Sequence, residues 1–219
     1  MTRRGSTSDP LEDLLAAIPI LAGRPATAGD RRQFGRYLEL LMEWNRVHDL
    51  TGLKDARGIV RGLFLDSLLF LSELPPRPLR LVDIGSGAGV PGLPLHLVDP
   101  RIETTLVEVR RKRLSFLRTV RRELRLDQVR LVEARAEDAI QEEPDLEGRS
   151  DVVVARGVTP SGAFLATCRR YLNRGGRIVI SGPPVSQSPR PKPAGMDWVR
   201  VPYPKLRMER VFLVSTQEA

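Results

Sequence analysis

The sequence predicts an α/β fold, in which a parallel β-sheet carries helices on both faces and follows a layer of helices. From residue 79 onward, short apolar runs alternate with amphipathic segments, as in successive strand and helix units. The first of these runs leads directly into a glycine-rich turn, whereas residues 11–74 carry apolar side chains at helical spacing. A chain of 219 residues can form one well-buried unit with an extension.

The extension covers residues 1–75, and the core covers residues 76–219. Residues 1–10 are polar and aperiodic, so we expect a disordered tail. Thr27 and Asp30 have the spacing of a helix-capping pair. Helices are predicted over residues 11–21, over a segment from Thr27 to about Trp44, and over residues 59–74.

The core elements follow from apolar runs, glycines and prolines. Strands are predicted over residues 79–84, 104–109, 129–133, 151–155, 177–180, 198–201 and 208–214. Helices are predicted over residues 92–98, 110–126 and 161–172. The acidic residues 138–147 are expected to connect two strands, Gly175 and Gly176 to form a turn, and the proline-rich residues 181–204 to form a mobile loop.

The glycine-rich turn lies in residues 79–92, which read LRLVDIGSGAGVPG. Asp83 ends the buried strand, and Gly85, Gly87 and Gly89 follow at alternate positions. Glycines there would permit positive φ angles and the close approach of a ligand. An acid before such a turn suits an adenosyl cofactor with a cationic amino acid end, because the carboxylate can accept hydrogen bonds from an ammonium group. The stretch therefore predicts a site for S-adenosylmethionine.

Other ligands fit the turn less well. The sixth fingerprint position is Val90, whereas a dinucleotide site has glycine there, so a nicotinamide-dependent oxidoreductase is disfavoured. A phosphate-binding P-loop is unsupported because no Lys-Ser or Lys-Thr pair follows the glycines. A tight strand-to-helix turn without any ligand remains open.

Further candidate residues follow the next strands. Glu108 ends the second strand, 23 residues after Gly85, which is the position of a ribose-binding acid. Residues 134–137 and Arg156 follow two later strands, and ligands in such sheets lie outside the carboxyl ends of the strands. These residues should therefore border the same pocket. Alternatively, Arg156 is a structural arginine paired with an acid such as Glu137.

The charge of the chain is concentrated on one predicted helix. The chain has 35 basic and 27 acidic residues, and residues 110–130 contain nine basic residues and two acidic ones. Within that helix, Arg118, Arg122 and Arg125 share a face opposite the apolar one. A basic cluster beside a ligand site is the electrostatic pattern expected for RNA. A solvated helix face is the alternative.

Several classes of site and location are not supported by the composition. Cys168 is the only cysteine and is expected to be a buried residue without nucleophilic function. His48 and His96 stand far apart, so no metal site is predicted. Neither a signal peptide nor a membrane span is indicated, and we expect a cytoplasmic monomer that does not bind membranes.

Several motifs resemble one family, the bacterial small-subunit (16S) ribosomal RNA guanine-N7 methyltransferases, also called glucose-inhibited division protein B. WNRVHDLT, LDSL, DIGSGAGVPGLPL, VEVRRKRLSFL, ARAED and VARG each resemble a segment of that family. DIGSGAGVPGLPL is specific, because Pro-Gly after the glycine run is not a general methyltransferase feature. The resemblance runs from about Phe34 to the end of the chain.

The resemblance implies a Rossmann-like S-adenosylmethionine-dependent methyltransferase fold with an N-terminal helical extension. Ribosomal RNA or the small ribosomal subunit would be the substrate, methylated at guanosine N7. The cofactor contacts that it implies are Gly85, Val90, Glu108, Ala136, Glu137 and Arg156, with Ala136 and Glu137 near the adenine. Arg135, Arg156 and Arg210 match family arginines associated with activity or RNA contact.

Three departures from the family pattern keep other functions open. Asp49, Leu63 and Ser181 stand where the family usually or often has Asn, His and Lys. The last two lie where substrate contacts are plausible, which leaves a noncatalytic RNA-binding relative as an alternative. A methyltransferase of the same fold that acts on another RNA or on a small molecule is also open, although the basic helix argues against a small molecule.

Overall fold

In the computed structural model, residues 9–182 and 191–215 are described. They form a mixed seven-stranded sheet with the order β3-β2-β1-β4-β5-β7-β6. The strands are β1 (Leu79–Ile84), β2 (Ile102–Val107), β3 (Val129–Val132), β4 (Ser150–Ala155), β5 (Leu172–Ser181), β6 (Met196–Tyr203) and β7 (Met208–Ser215). The first five strands are parallel, whereas β7 pairs antiparallel with both β5 and β6. The α/β prediction is confirmed, and the antiparallel pair extends one edge.

The helices lie on both sides of this sheet. They are α1 (Glu12–Leu21), α2 (Ala28–His48), α3 (Ala56–Ile59), α4 (Asp66–Leu68), α5 (Gly92–Val98), α6 (Arg111–Leu124), α7 (Ala136–Glu142) and α8 (Gly162–Tyr171). A π-helical stretch, Val60–Leu65, joins α3 to α4, and a 3₁₀ turn, Leu69–Glu73, follows α4. Residues 56–73 therefore form one continuous helical segment.

The N-terminal helices share a core with the sheet. Leu14, Phe34 and Phe64 belong to the same buried cluster as Leu106 of β2 and Phe116 of α6. Burial of this apolar surface holds the helical layer against the face of the sheet that carries α5 and α6. The first helical residues of the chain thus help to position the elements that carry the site.

The capping prediction for the second helix is confirmed. The Thr27 Oγ1 atom accepts a hydrogen bond from the Asp30 amide at 3.1 Å, and Asp30 Oδ2 accepts one from the Thr27 amide at 2.7 Å. The predicted end at Trp44 is wrong, because α2 continues to His48 and stops where Asp49 has a φ of +46°. Asn45 explains the extension, since its amide group bonds the backbone of the following loop.

Other boundaries also differ from the predictions. The acidic segment after β3 contains the helix α7, which buries Ala139 and Ile140. Gly175 and Gly176 lie inside β5, where its register against β4 shifts. The predicted loop over residues 181–204 contains β6, while its residues 183–190 lie outside the described residues, as does most of the predicted N-terminal tail.

Candidate functional site at the carboxyl edge of the sheet

The predicted site residues converge where four parallel strands end. Gly85 follows β1, Glu108 follows β2, and Arg156 follows β4. Ala136 begins the helix after β3. Because neighbouring parallel strands end at one edge, the structure brings these positions to the same side of the sheet.

The glycine turn adopts the backbone that its sequence predicts. Gly85, Gly87 and Gly89 have φ angles of +71°, +58° and +87°, a region that other residues rarely adopt. A Cβ atom added at Gly85 would meet no atom within 4 Å, and one at Gly87 would come no closer than 3.6 Å to the Arg113 side chain. Gly85 therefore borders open space, where a ligand could approach the backbone, whereas Gly87 lies at contact distance from the Arg113 side chain.

Gly89 and Gly92 are glycines for a different reason. A Cβ atom at Gly89 would lie 2.4 Å from a Leu93 methyl carbon and 2.9 Å from the Tyr37 hydroxyl. One at Gly92 would lie 2.6 Å from a Leu106 methyl carbon and 2.9 Å from Asp83 Oδ2. Close packing therefore requires glycine at both positions, against Leu93 of α5 and Tyr37 of the helical layer for Gly89, and against β1 and β2 for Gly92.

Tyr37 connects the helical layer to the turn. Its buried hydroxyl donates a hydrogen bond to the Ala88 carbonyl. Its ring stacks on Phe64 with centroids 4.6 Å apart, and burial raises the pKa of its phenol well above the usual value. Sequence reasoning missed this residue, because helical spacing identifies a buried tyrosine but not the carbonyl that it bonds.

Asp83 is fully buried behind the turn. Its Oδ2 atom accepts a hydrogen bond from the Gly92 amide at 2.8 Å, while Oδ1 is buried and has no partner among the described residues. Burial raises the pKa of this carboxyl to about 7, with a further contribution from the negative charge of Glu108. A buried carboxylate oxygen without a donor fits a cationic ligand group at this position.

Two backbone amides fix the carboxylate of Glu108, one on each oxygen. Its Oε2 atom accepts from the Gly87 amide at 2.9 Å, and its Oε1 atom accepts from the Arg110 amide at 2.8 Å. Arg113 lies 3.5 Å from Oε2, and the side chain of Glu108 is only 3% exposed. Each carboxylate oxygen can accept a further hydrogen bond, so the fixed acid fits a ligand hydroxyl group.

Arg156 pairs with an acid, as the structural alternative predicts, but the acid is Asp66 and not Glu137. Its Nη2 atom donates to the Gly62 carbonyl at 2.7 Å, and its Nη1 atom lies 3.0 Å from Asp66 Oδ2. Asp66 Oδ2 is also 3.3 Å from Arg210 Nη2, which donates to Ser181 Oγ. Two predicted site arginines thus meet at an acid that sequence reasoning recorded only within the LDSL motif.

The other predicted residues are more exposed. Arg135 and Glu137 are exposed at the start of α7, and Arg135 has no side-chain partner within the described parts of the chain. The Ala136 carbonyl accepts a hydrogen bond from the Tyr171 hydroxyl at 2.6 Å. The structure therefore does not join Arg135 to the other two arginines.

Cys168 is buried in α8, and burial raises the pKa of its thiol to about 12, as expected for an inert cysteine.

The α6 arginine face, defined as Arg118 and Arg122 of α6 and Arg125 directly after it, lies on the surface. The predicted helix end at residue 126 is wrong, because α6 ends at Leu124 and Arg125 caps it with a φ of +54°. Arg118 Nη2 lies 3.0 Å from Glu133 Oε2, and Arg122 Nη2 lies 3.4 Å from Glu123 Oε1. The side chain of Arg125 makes no ion pair with any residue that the structure describes. The helix α6 is amphipathic as predicted, since Leu114, Leu117 and Val120 are buried on its opposite side.

Comparison with solved structures defines the class of fold. A SAM-dependent methyltransferase from Aquifex aeolicus has a TM-score of 0.55 and 15% identity, and the match covers 77% of this chain and 97% of that chain. A mutant of MtNAS in complex with S-adenosylmethionine also has a TM-score of 0.55 and 15% identity, covering 93% of this chain and 84% of that one. The fold is the Rossmann-like fold of S-adenosylmethionine-dependent methyltransferases.

The family is shown by sequence. Residues 30–182 match the model of the GidB family, described as rRNA small subunit methyltransferase G, and the chain belongs to that family. A protein from Alkaliphilus oremlandii called ribosomal RNA small subunit methyltransferase G is 36% identical over 153 residues, or 69% of this chain. The match spans 64% of that relative's own length. Arg210 lies beyond the residues that match the family model.

Membrane-spanning helices and clusters of metal-binding side chains are both absent from the described residues. Across residues 9–182 and 191–215, no helix has the length and apolarity needed to cross a membrane. The same residues contain no group of three or more acidic, histidine or cysteine side chains that could hold a metal ion.

Proposed function

We propose that this protein is an S-adenosylmethionine-dependent methyltransferase that methylates N7 of a guanosine in 16S ribosomal RNA. The observation that carries the proposal is the buried pair of acids at the glycine turn, Asp83 and Glu108, in a chain of the rRNA small subunit methyltransferase G family. The name of the Alkaliphilus oremlandii relative also specifies ribosomal RNA of the small subunit.

The pocket residues have complementary parts in holding the cofactor. When bound, S-adenosylmethionine supplies a methyl group made electrophilic by its sulfonium. Asp83 would accept a hydrogen bond from its ammonium group through the otherwise unpartnered Oδ1 atom, and Glu108 would accept hydrogen bonds from its ribose hydroxyls. The turn residues Gly85, Gly87, Gly89 and Val90 would form the adjoining wall, and Ala136 and Glu137 would border the adenine.

The methyl acceptor needs orientation and no catalytic base. Guanine N7 carries an accessible lone pair, so no proton has to be removed before it attacks. Holding N7 in line with the methyl group contributes roughly 7 to 11 kcal/mol at the upper end of known orientation effects. We assign this orientation to Arg156 and Arg210 at the carboxyl edge, with Arg135 as a further RNA contact. A guanosine in structured RNA also has to be unstacked to reach them.

RNA binding is assigned to the α6 arginine face. Arg118, Arg122 and Arg125 are exposed, and the helix that carries them starts beside Glu108. Exposed arginines attract phosphates without reading sequence and make affinity depend on salt. We further propose a monomer acting in the cytoplasm, with residues 1–75 as an N-terminal tail and helical layer and residues 76–219 as the methyltransferase core.

Methyl transfer to ribosomal RNA tests this function. Purified protein and labelled S-adenosylmethionine are incubated with 16S ribosomal RNA and with small ribosomal subunits, and 7-methylguanosine is mapped in the product. Loss of one 7-methylguanosine from a strain without this protein would identify the nucleotide. Cofactor binding in calorimetry without methyl transfer would instead favour a noncatalytic relative, whereas turnover on a small molecule without salt dependence would favour another substrate class.

A further inference from the structure

Three charged side chains from separate elements meet at the carboxyl edge. Asp66 comes from α4, Arg156 follows β4, and Arg210 lies in β7. A single oxygen, Asp66 Oδ2, lies 3.0 Å from Arg156 Nη1 and 3.3 Å from Arg210 Nη2. The side chains of Asp66, Arg156 and Arg210 are 10%, 24% and 19% exposed, so the cluster carries a net charge of one in a largely buried position.

The two guanidinium groups oppose each other. Burial lowers the pKa of Arg156, Asp66 raises it, and the positive charge of Arg210 lowers it further. Like charges in a poorly solvated site repel strongly, because water screens them little there. Asp66 is therefore the counter-charge that allows both guanidinium groups to occupy this edge.

The contacts within the cluster leave one acceptor and two donors without hydrogen bonds. Asp66 Oδ2, Arg156 Nη1 and Arg210 Nε are buried, and none has a hydrogen-bond partner in the described parts of the chain. The two ion pairs thus hold the arginines by charge without the geometry of a hydrogen bond. Other contacts fix the ends of the guanidinium groups, at the Gly62 carbonyl for Arg156 and at Ser181 Oγ for Arg210.

Arg156 links this cluster to the cofactor pocket. Its positive charge lowers the pKa of Asp83, which is the buried acid behind the glycine turn. A displacement of Arg156 would therefore change both the edge of the pocket and the electrostatics of Asp83. Asp66 pairs with both arginines, so it can act on the pocket through Arg156.

We propose that Asp66 is a positioning residue for methyl transfer, which holds Arg156 and Arg210 side by side and lowers the charge of the pair from two to one. The proposal rests on the proposed function. Without Asp66 the two arginines separate, so the target base is oriented less well. The cluster also becomes more cationic, so the affinity for the RNA polyanion does not fall.

The Asp66→Asn variant tests this role, because it keeps the shape of the side chain and removes its charge. We expect the single-turnover rate at saturating RNA and cofactor to fall at least about tenfold. The dissociation constant for RNA should stay unchanged or become smaller. Asp55→Asn is the matched control, since Asp55 caps the same helical segment through the Gly58 amide and pairs with neither arginine.

A second variant separates positioning from folding. In Asp66→Asn combined with Arg210→Gln, the repulsion is gone, so the double variant should be no slower than Arg210→Gln alone. If Asp66→Asn does not fold, the double variant should recover folding, and its failure to do so would overturn the proposal.

The outcomes for the proposed function and for Asp66 are distinguishable. Absence of methyl transfer by the wild-type protein would overturn the proposed function itself. Wild-type methyl transfer with an equal rate in Asp66→Asn would overturn only the role of Asp66. A rate loss matched by an equal loss of RNA affinity would also overturn it, because positioning predicts that the two measurements separate.

Discussion

The carboxyl-edge cluster of Asp66, Arg156 and Arg210 and the α6 arginine face use arginine in opposite ways. In the cluster, Arg156 is 24% exposed and is held by both a carbonyl and a carboxylate. On α6, the paired side chains of Arg118 and Arg122 are 59% and 74% exposed. Ion pairs at exposed positions contribute little to stability and fix little geometry. The half-buried arginines of the cluster are thus suited to orienting a substrate, and the exposed arginines of the α6 face to attracting it.

Gly87→Val should have the largest effect on the pocket side of this comparison. The substitution places a branched side chain at a φ of +58° and against the Arg113 side chain, at the residue whose amide bonds Glu108. We expect S-adenosylmethionine affinity, measured by calorimetry, to fall at least about 100-fold, or ~2.7 kcal/mol. Gly148→Val is the control, because Gly148 has a φ of +65° and lies beyond α7, away from the turn. Normal affinity in a folded Gly87→Val protein would refute the cofactor site.

Arg156→Lys should have the next largest effect. Lysine keeps the charge but cannot bond the Gly62 carbonyl and face Asp66 with a planar fork. Single-turnover methylation should fall at least about tenfold, or ~1.4 kcal/mol, with small changes in melting temperature and RNA affinity. Arg177→Lys is the control, since Arg177 also contacts one carbonyl and one carboxylate, which in its case both belong to Glu73. A loss of melting temperature alone would mean that Arg156 is structural.

The pH dependence of cofactor affinity should show a comparable change. Asp83 has its pKa raised to about 7, and its ionised form is the one that accepts the ammonium hydrogen bond. Affinity should therefore fall about tenfold between pH 8 and pH 6 as the carboxyl takes up a proton. Asp83→Asn should bind weakly at both values and lose this dependence. A wild-type affinity that is constant over this range would contradict the assigned role.

The raised pKa of Asp83 makes the stability of the free protein fall with rising pH, whereas it makes the cofactor affinity rise. The folded pKa of Asp83 lies above the unfolded value, so folding retains a proton that the unfolded chain releases. The contribution of Asp83 to the free energy of unfolding is therefore largest below about pH 4 and is lost as pH rises to about 7. Comparing wild type with Asp83→Asn in denaturant unfolding across this range isolates the effect.

Arg125→Gln should give the smallest effect and should sharpen the α6 side of the comparison. The slope of log RNA affinity against log salt should decrease by roughly 0.7 to 0.9, while cofactor affinity stays unchanged. Arg169→Gln is the control, since Arg169 is exposed on α8, whose buried residues belong to a different core cluster from those of α6. Equal slopes for Arg125→Gln and wild type would remove Arg125 from the RNA contact.

The order of elements and the positions of the pocket residues were accessible from sequence because the signals are local. Apolar runs, the Thr27 capping pair and the glycines at 85, 87 and 89 each reflect a conformational preference of nearby residues. Parallel strands then place the residues after β1, β2 and β4 at one edge by geometry alone. The positions of Asp83, Glu108 and Arg156 therefore followed without any knowledge of contacts.

Tertiary structure decided what depends on groups that are distant in sequence. Tyr37 bonds the Ala88 carbonyl across 51 residues, and Asp66 pairs with arginines that follow it by 90 and 144 positions. No local pattern specifies such a partner, since the same residue at the same helical spacing could face solvent or core. The sequence alone determined which edge of the sheet carries the candidate site. Packing of the helical layer against that edge decided which side chains surround it, because charges that are buried there have to be neutralised by groups from other elements.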